Sequence, residues 1–368
     1  MIINPPLILV SALFFLALSA IFYVVSWLVA TLILRLGRDR ISYAAAKRIL
    51  MTALLLPPIL AAVPTVGGAT FEHSHAMPSA EHHNMLCQQM FTHVFDISGH
   101  GSLSAGYMVN GTAWLLALVG IGLLARLFVA TGQLEHGLVP FLLEPSPKLA
   151  KALKTVSERM PQLRPSQFHE CAIPAAYSSV FGLFHVRCVL SREFVQEATE
   201  DELVAVVAHE ASHLRSNDAG HTLLVGAVNC LFFPLRPVRL LARHWREAAE
   251  LACDDAAIAV TRNPLAMASA ILRVSGVPVA ERHINRALPA TALAFADEAA
   301  CPPRKRVERL IAQARTASLP QASEAPVQKL GSWIVTLLLA GLGIAALVSA
   351  QAVCYAHCSL EAVAKLLP

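Results

Sequence analysis

Charge is what this chain has least of. Only 15% of its 368 residues are Asp, Glu, Lys or Arg, against about 25% in ordinary soluble domains. Hydrophobic residues make up 55%, and the mean hydropathy is +0.55. No charged residue precedes Arg35. That excludes the basic leader of a cleaved signal peptide and points to a retained membrane anchor. The formal net charge of +4 is small and scattered, which argues against direct nucleic-acid binding. Eight cysteines are dispersed between Cys87 and Cys358, without the dense spacing of a disulfide scaffold. No internal repeat is visible.

What is present is a set of apolar runs. A bilayer core takes about 20 apolar residues per helix. Four segments meet that length: Pro6–Leu34, Ile49–Gly68 with a kink predicted at Pro57–Pro58, Tyr107–Val129 and Gly331–Val353. The segment Arg35–Arg48 carries five basic residues against the single acid Asp39, whereas Ala69–Gly106 has no Lys or Arg. Basic loops stay on the cytoplasmic side. The expected topology is therefore an external N-terminus, an external loop over 69–106, a cytoplasmic region over 130–330 and a short external tail, 354–368. In a bacterium this places the chain in the cytoplasmic (inner) membrane, with the lipid bilayer as its first partner.

The region 130–330 has the mixed composition of one folded domain. Pro140–Pro165 reads as an entry linker with one short helix, Leu149–Arg159, and Cys171–Leu190 as two strands, or one bent pair, of a small sheet. Thr199-Glu-Asp-Glu202 has capping-box spacing and opens a helix running to Arg215. Thr222–Leu235 is a short apolar helix expected to touch the membrane, His244–Val260 an acidic helix, and Arg304–Arg315 a basic amphipathic one.

The helix after Thr199 carries His-Glu-x-x-His: His209, Glu210 and His213. Residues four apart share a helix face, so the two imidazoles suit one zinc, and Glu210 is placed to accept a proton from the attacking water. A catalytic zinc has three protein ligands, and Glu250 in the acidic helix is the candidate third. Asp254, one turn on, and Asp218 are candidates to accept the far N–H of a metal-bound imidazole. His221, His244 and Arg246 are candidate donors to a developing oxyanion.

Four segments together resemble the BlaR/MecR-type membrane metallopeptidases, the β-lactam sensor-transducers. They are SSVFGLFHVRCVLS (Ser178–Ser191), EDELVAVVAHEASHLRSNDAG (Glu200–Gly220), REAAELACDDAAI (Arg246–Ile258) and RKRVERLIAQ (Arg304–Gln313). The resemblance implies a polytopic α-helical membrane protein of four spans with an inserted α+β gluzincin-type zinc peptidase. In it His209, His213 and Glu250 hold zinc, Glu210 is the general base, and a peptide aligns along the Val180–Leu190 strand. It also implies activation by an external signal and cleavage of a cytoplasmic repressor of the BlaI type. A homodimer is compatible with this reading. One departure stands out: only Cys354–Pro368 follows the last span, with no Ser-x-x-Lys nucleophile. Sensing of β-lactams by acylation within this chain is not expected.

An external metal signal is the alternative input. The loop holds His73, His75, His82, His83, Met85 and Cys87, and the tail adds Cys354, His357 and Cys358. Imidazole, thioether and thiolate suit copper or zinc. Two competing functions stay open. One is a processing or quality-control peptidase of the HtpX or CAAX type, which shares His-Glu-x-x-His. The other is a non-catalytic membrane metal receptor with a structural zinc.

Overall fold

The computed structural model describes residues 5–37, 40–71, 105–172, 178–182, 186–275 and 301–316. The fourth apolar segment, the tail and residues 72–104 of the His/Met-rich loop lie outside them. So do His73, His75, His82, His83, Met85, Cys87, Cys354, His357 and Cys358.

Three long helices begin the fold: α1 (Pro5–Leu36), α2 (Tyr43–Phe71) and α3 (Ala105–Leu138). Each contains a stretch long and apolar enough to cross a membrane. The helix α2 continues through Pro57 and Pro58 rather than stopping there, as membrane helices tolerate when neighbouring groups satisfy the freed carbonyls. Tyr23 Oη donates to Leu54 O across α1 and α2 at 3.0 Å.

The remaining elements are short. They are β1 (Leu142–Leu143), α4 (Pro147–Arg159), β2 (Phe168–Cys171), β3 (Ser178–Phe181), β4 (Arg187–Ser191), α5 (Arg192–Glu197), α6 (Glu200–Arg215), α7 (Asp218–Leu231), α8 (Arg236–Thr261), α9 (Pro264–Ser275) and α10 (Pro303–Thr316). The sheet order is β1-β2-β4-β3, with β2 and β4 parallel and the outer strands antiparallel. The sequence segment read as a single aligning strand, 180–190, is thus two strands. Of these two, only β3 is an edge among the described residues; β4 is enclosed between β2 and β3, and its residues 188–191 are buried.

Two hydrophobic cores organise the rest. The first joins α4, the sheet, α5, α6, α9 and α10 around Leu149, Phe168, Phe194, Leu203 and Leu310. The second joins α1 and α2 to α7 and α8, through Tyr23, Leu50, Leu54, Leu241 and Trp245. The region 130–330 is therefore no self-contained insert. Two of its helices are packed by the first two membrane helices. The helix α3 closes on α7 as well: a Cβ on Gly120 would lie 3.2 Å from Cys230 O, a tight contact that favours glycine there.

Candidate metal centre

The helix α6 starts where the sequence says it should. Thr199 accepts from the Glu202 amide at 3.3 Å, and Glu202 accepts from the Thr199 amide at 2.8 Å, a reciprocal capping box. From Ala205 to Ser212 every residue is buried. The polar groups in that stretch must then find partners, because unpaired polar burial is costly.

His209 and His213 meet edge to face, Nε2 to Nε2 at 3.1 Å. Glu250, arriving on α8, places its carboxylate oxygens 3.7 Å from His209 Nε2 and 3.6 Å from His213 Nε2. Ligand atoms of all three residues lie within 4.8 Å of one another. Two imidazole nitrogens and a carboxylate oxygen are the donor set of a three-ligand zinc site with room for a fourth group.

The far side of each imidazole meets a carboxylate. His209 Nδ1 lies 3.1 Å from Asp254 Oδ1, and His213 Nδ1 lies 2.8 Å from Asp218 Oδ2. Such partners set the tautomer and present Nε2 to a metal. Asp218 can reach back because Asn217 takes a left-handed conformation, φ 52°, which reverses the chain between α6 and α7. Asparagine tolerates that region better than most side chains.

Two cations from other helices complete the arrangement. Arg306 on α10 binds Asp254 through Nη2 at 2.6 Å and Nε at 3.0 Å, and Glu250 through Nη1 at 2.8 Å. Lys47 on α2 binds Asp218 Oδ1. Burial pushes the Asp254 and Glu250 acids up. The imidazoles and Arg306 outweigh it and hold both below the usual carboxylate range. Burial likewise raises Asp218, but His213 and Lys47 bring it down overall. All three carboxylates are therefore charged at neutral pH. That is what a cation requires of a ligand and of its supports.

Glu210 lines the same cavity, of about 550 Å³, which the edge strand β3 bounds through Ser178 and Val180. The long apolar helix α3 contributes Leu127, Ala130 and Thr131 to its wall. Of the three candidate donors, only Arg246 reaches the cavity. It precedes Glu250 by four residues and so shares its face of α8. His244 precedes Glu250 by six residues, about 240° around the helix, and is exposed. His221 does not line the cavity; its ring lies 6.3 Å from that of Trp245. Cys253 approaches His213 from the Nδ1 side, at 3.4 Å. It does not stand with the two Nε2 atoms, where a fourth ligand of a structural site would be needed.

Sequence reading missed Lys47 and Arg306. The signal for Arg306 was available: successive helix residues point about 100° apart, so Arg304, Lys305 and Arg306 cannot share one solvated face. Arg306 also falls four before the buried Leu310. Lys47 had no such signal, since a basic residue near a span end reads as a topology marker.

A family model described as BlaR1 peptidase M56 matches residues 13–292. The plastoglobule-localized metallopeptidase 48, chloroplastic, of Arabidopsis thaliana is 26% identical over 205 residues, covering 50% of this chain and 55% of that relative. The chain thus spans about half the length of that curated relative.

Proposed function

The chain belongs to the BlaR1 peptidase M56 family, and from that premise we propose that it is a membrane-integrated zinc endopeptidase of signal transduction. It is activated by an external signal, and its target is a cytoplasmic protein of the BlaI repressor class. The observation that carries the peptidase chemistry is the convergence of His209, His213 and Glu250 beside Glu210 in one cavity. The fold is of gluzincin type, with four spans, the fourth at 331–353, and the catalytic region faces the cytoplasm. The basic segment 35–48 supports that orientation: its Lys47 touches Asp218 beside the metal ligands, so the positive loop and the site lie on one side.

His209, His213 and Glu250 would hold the zinc, which when bound supplies Lewis acidity to water and to the scissile carbonyl. Asp254 and Asp218 keep the imidazoles in the tautomer that offers Nε2. Glu210 takes the proton from the attacking water and delivers it to the leaving amine. Arg246 donates to the oxyanion that develops on the carbonyl. The outer edge of β3, unpaired among the described residues, pairs with an extended peptide, and α3 walls the cavity so that the substrate enters at the membrane surface. An external copper or zinc ion, held by the histidine-rich loop, is the input we favour.

The test is Glu210→Ala in the full-length chain. The expected result is one zinc retained per chain with peptide cleavage reduced by about 10²–10⁴-fold, the usual contribution of a general base. Cleavage that persists at the original rate would overturn the enzymatic assignment.

A further inference from the structure

The metal centre draws on a residue of a membrane helix. Lys47 lies in the first turns of α2, its side chain 12% exposed, bound to Asp218, whose side chain is 7% exposed. The other Asp218 oxygen is on His213 Nδ1. The residues around Lys47 in α2 are held against the peptidase region: Ala46, Ile49, Leu50 and Ala53 share a core with Leu241, Trp245 and Ala248 of α8. The helix α8 also carries Glu250, less than one turn beyond Ala248.

We propose that Lys47 is a positioning residue of the metal centre, acting through Asp218 on His213, and that it makes the hold on the metal depend on how α2 is seated. This rests on the zinc-site reading above. Nothing else on α6 or α7 performs the task. Asp218 meets His213 on one oxygen, which the Cys253 thiol on α8 also approaches at 3.8 Å, and Lys47 on the other, while His221 Nδ1 stands 3.9 Å off. With Lys47 in place the carboxylate is fixed from both sides. A movement of α2 that withdraws the lysine leaves Asp218 held on one oxygen only, by His213 and the weak Cys253 thiol contact. The preference of His213 for offering Nε2 is then weakened. His209 is held differently, through Asp254 and Arg306, which belongs to α10. One imidazole is therefore tied to a membrane helix and the other to the peptidase core.

The experiment is zinc competition against a chromogenic chelator, using the full-length chain in lipid nanodiscs. The variants are Lys47→Met, Asp218→Asn and the pair combined. Loss of an outer partner of a metal-bound histidine weakens metal binding by about 10–100-fold. Lys47→Met is expected at the low end of that range. In the Asp218→Asn background, Lys47→Met should add less than about 2-fold, because the chain of contacts is already cut. Losses that multiply, or a Lys47→Met protein that holds zinc as tightly as the parent, overturn the proposal. Should Lys47→Met fail to fold, Lys47→Gln keeps polarity and removes the charge, and it must show the same weakened binding. Failure of the zinc-site reading is distinct: the parent protein itself would then bind no zinc.

Discussion

The two hydrophobic cores of this molecule are stabilised by different physics. The first, around Leu203, Phe194 and Leu310, is built among helices and a sheet with polar outer faces; it draws on removal of apolar surface from water. The second places Tyr23, Leu50 and Leu54 of the membrane helices against Leu241 and Trp245. For residues facing lipid there is little hydrophobic gain in moving into protein, since lipid is equally apolar. Packing and hydrogen bonds such as Tyr23 to Leu54 O decide that interface. The candidate metal ligands straddle the seam. His209 and His213 stand on α6 of the first core, and Glu250 stands on α8, whose earlier turns belong to the second. The difference teaches that the candidate site draws on both cores: its two imidazoles ride on α6, while Glu250 on α8 and Lys47, through Asp218, join it to the helices of the second.

The largest effect that would sharpen this contrast comes from Arg306→Met. The guanidinium is the partner of Asp254, which is fully buried, and of Glu250. Removing one member of a buried ion pair costs about 3–5 kcal/mol, and the lower end is expected here because Arg309 Nη2 remains 3.9 Å from Asp254 Oδ2. Denaturant unfolding of the zinc-free protein should show that loss, and zinc retention should fall with it. A stable Arg306→Met protein with normal zinc binding would mean that the first core does not support the site.

Next is a pair of truncations, Leu203→Ala and Leu54→Ala. Both side chains are fully buried, so burial alone predicts equal effects. Leu203 is packed in the first core, where cavity and transfer losses add to about 2–5 kcal/mol. Leu54 sits between membrane helices, where the transfer part largely disappears. In nanodiscs Leu54→Ala should cost no more than about half as much. Equal costs would break the distinction between the cores.

Much of the first core and of the site was legible from sequence, and most of the second was not. The capping box at Thr199, the His-Glu-x-x-His face and the Glu250–Asp254 turn are local patterns set by helix periodicity, which sequence displays directly. The same periodicity put Arg246 on the Glu250 face, and it argued against His244, which the sequence reading kept as a candidate. The union of β3 with β4, and the enclosure of β4, depend on pairing partners far apart in the chain. Lys47 meets Asp218 across 171 positions, and no pattern within α2 announces it. An apolar helix reads as facing lipid whether it does so or packs on a neighbouring helix. The embrace of α8 by α2 was therefore invisible until the fold was assembled.

The smallest effect tests the first core through acid. Glu202 caps α6 and is buried. Burial raises its pKa, but the Ser269 hydroxyl, the Thr199 amide and Arg273 outweigh this and leave it below the ordinary value. The Ser269 and Thr199 contacts are 2.5 and 2.8 Å. A carboxyl depressed in the folded state stabilises the fold when ionised in both states. Its contribution is therefore complete above the unfolded value of about 4.3 and is lost as pH falls through the folded value. Glu202→Gln keeps an oxygen that can cap but removes the charge, and should cost about 1 kcal/mol at neutral pH, the difference between charged and neutral hydrogen bonds. The difference between parent and variant should be flat from pH 7 to about pH 5 and close below that. Zinc-free protein is required, so that metal release does not contribute. A gap that persists unchanged to about pH 3, well below the unfolded value, would show that the Glu202 charge does not anchor α6. The helix α6 would then be held by apolar packing and by the Thr199 cap, whose hydroxyl oxygen accepts from the Glu202 amide whatever the charge.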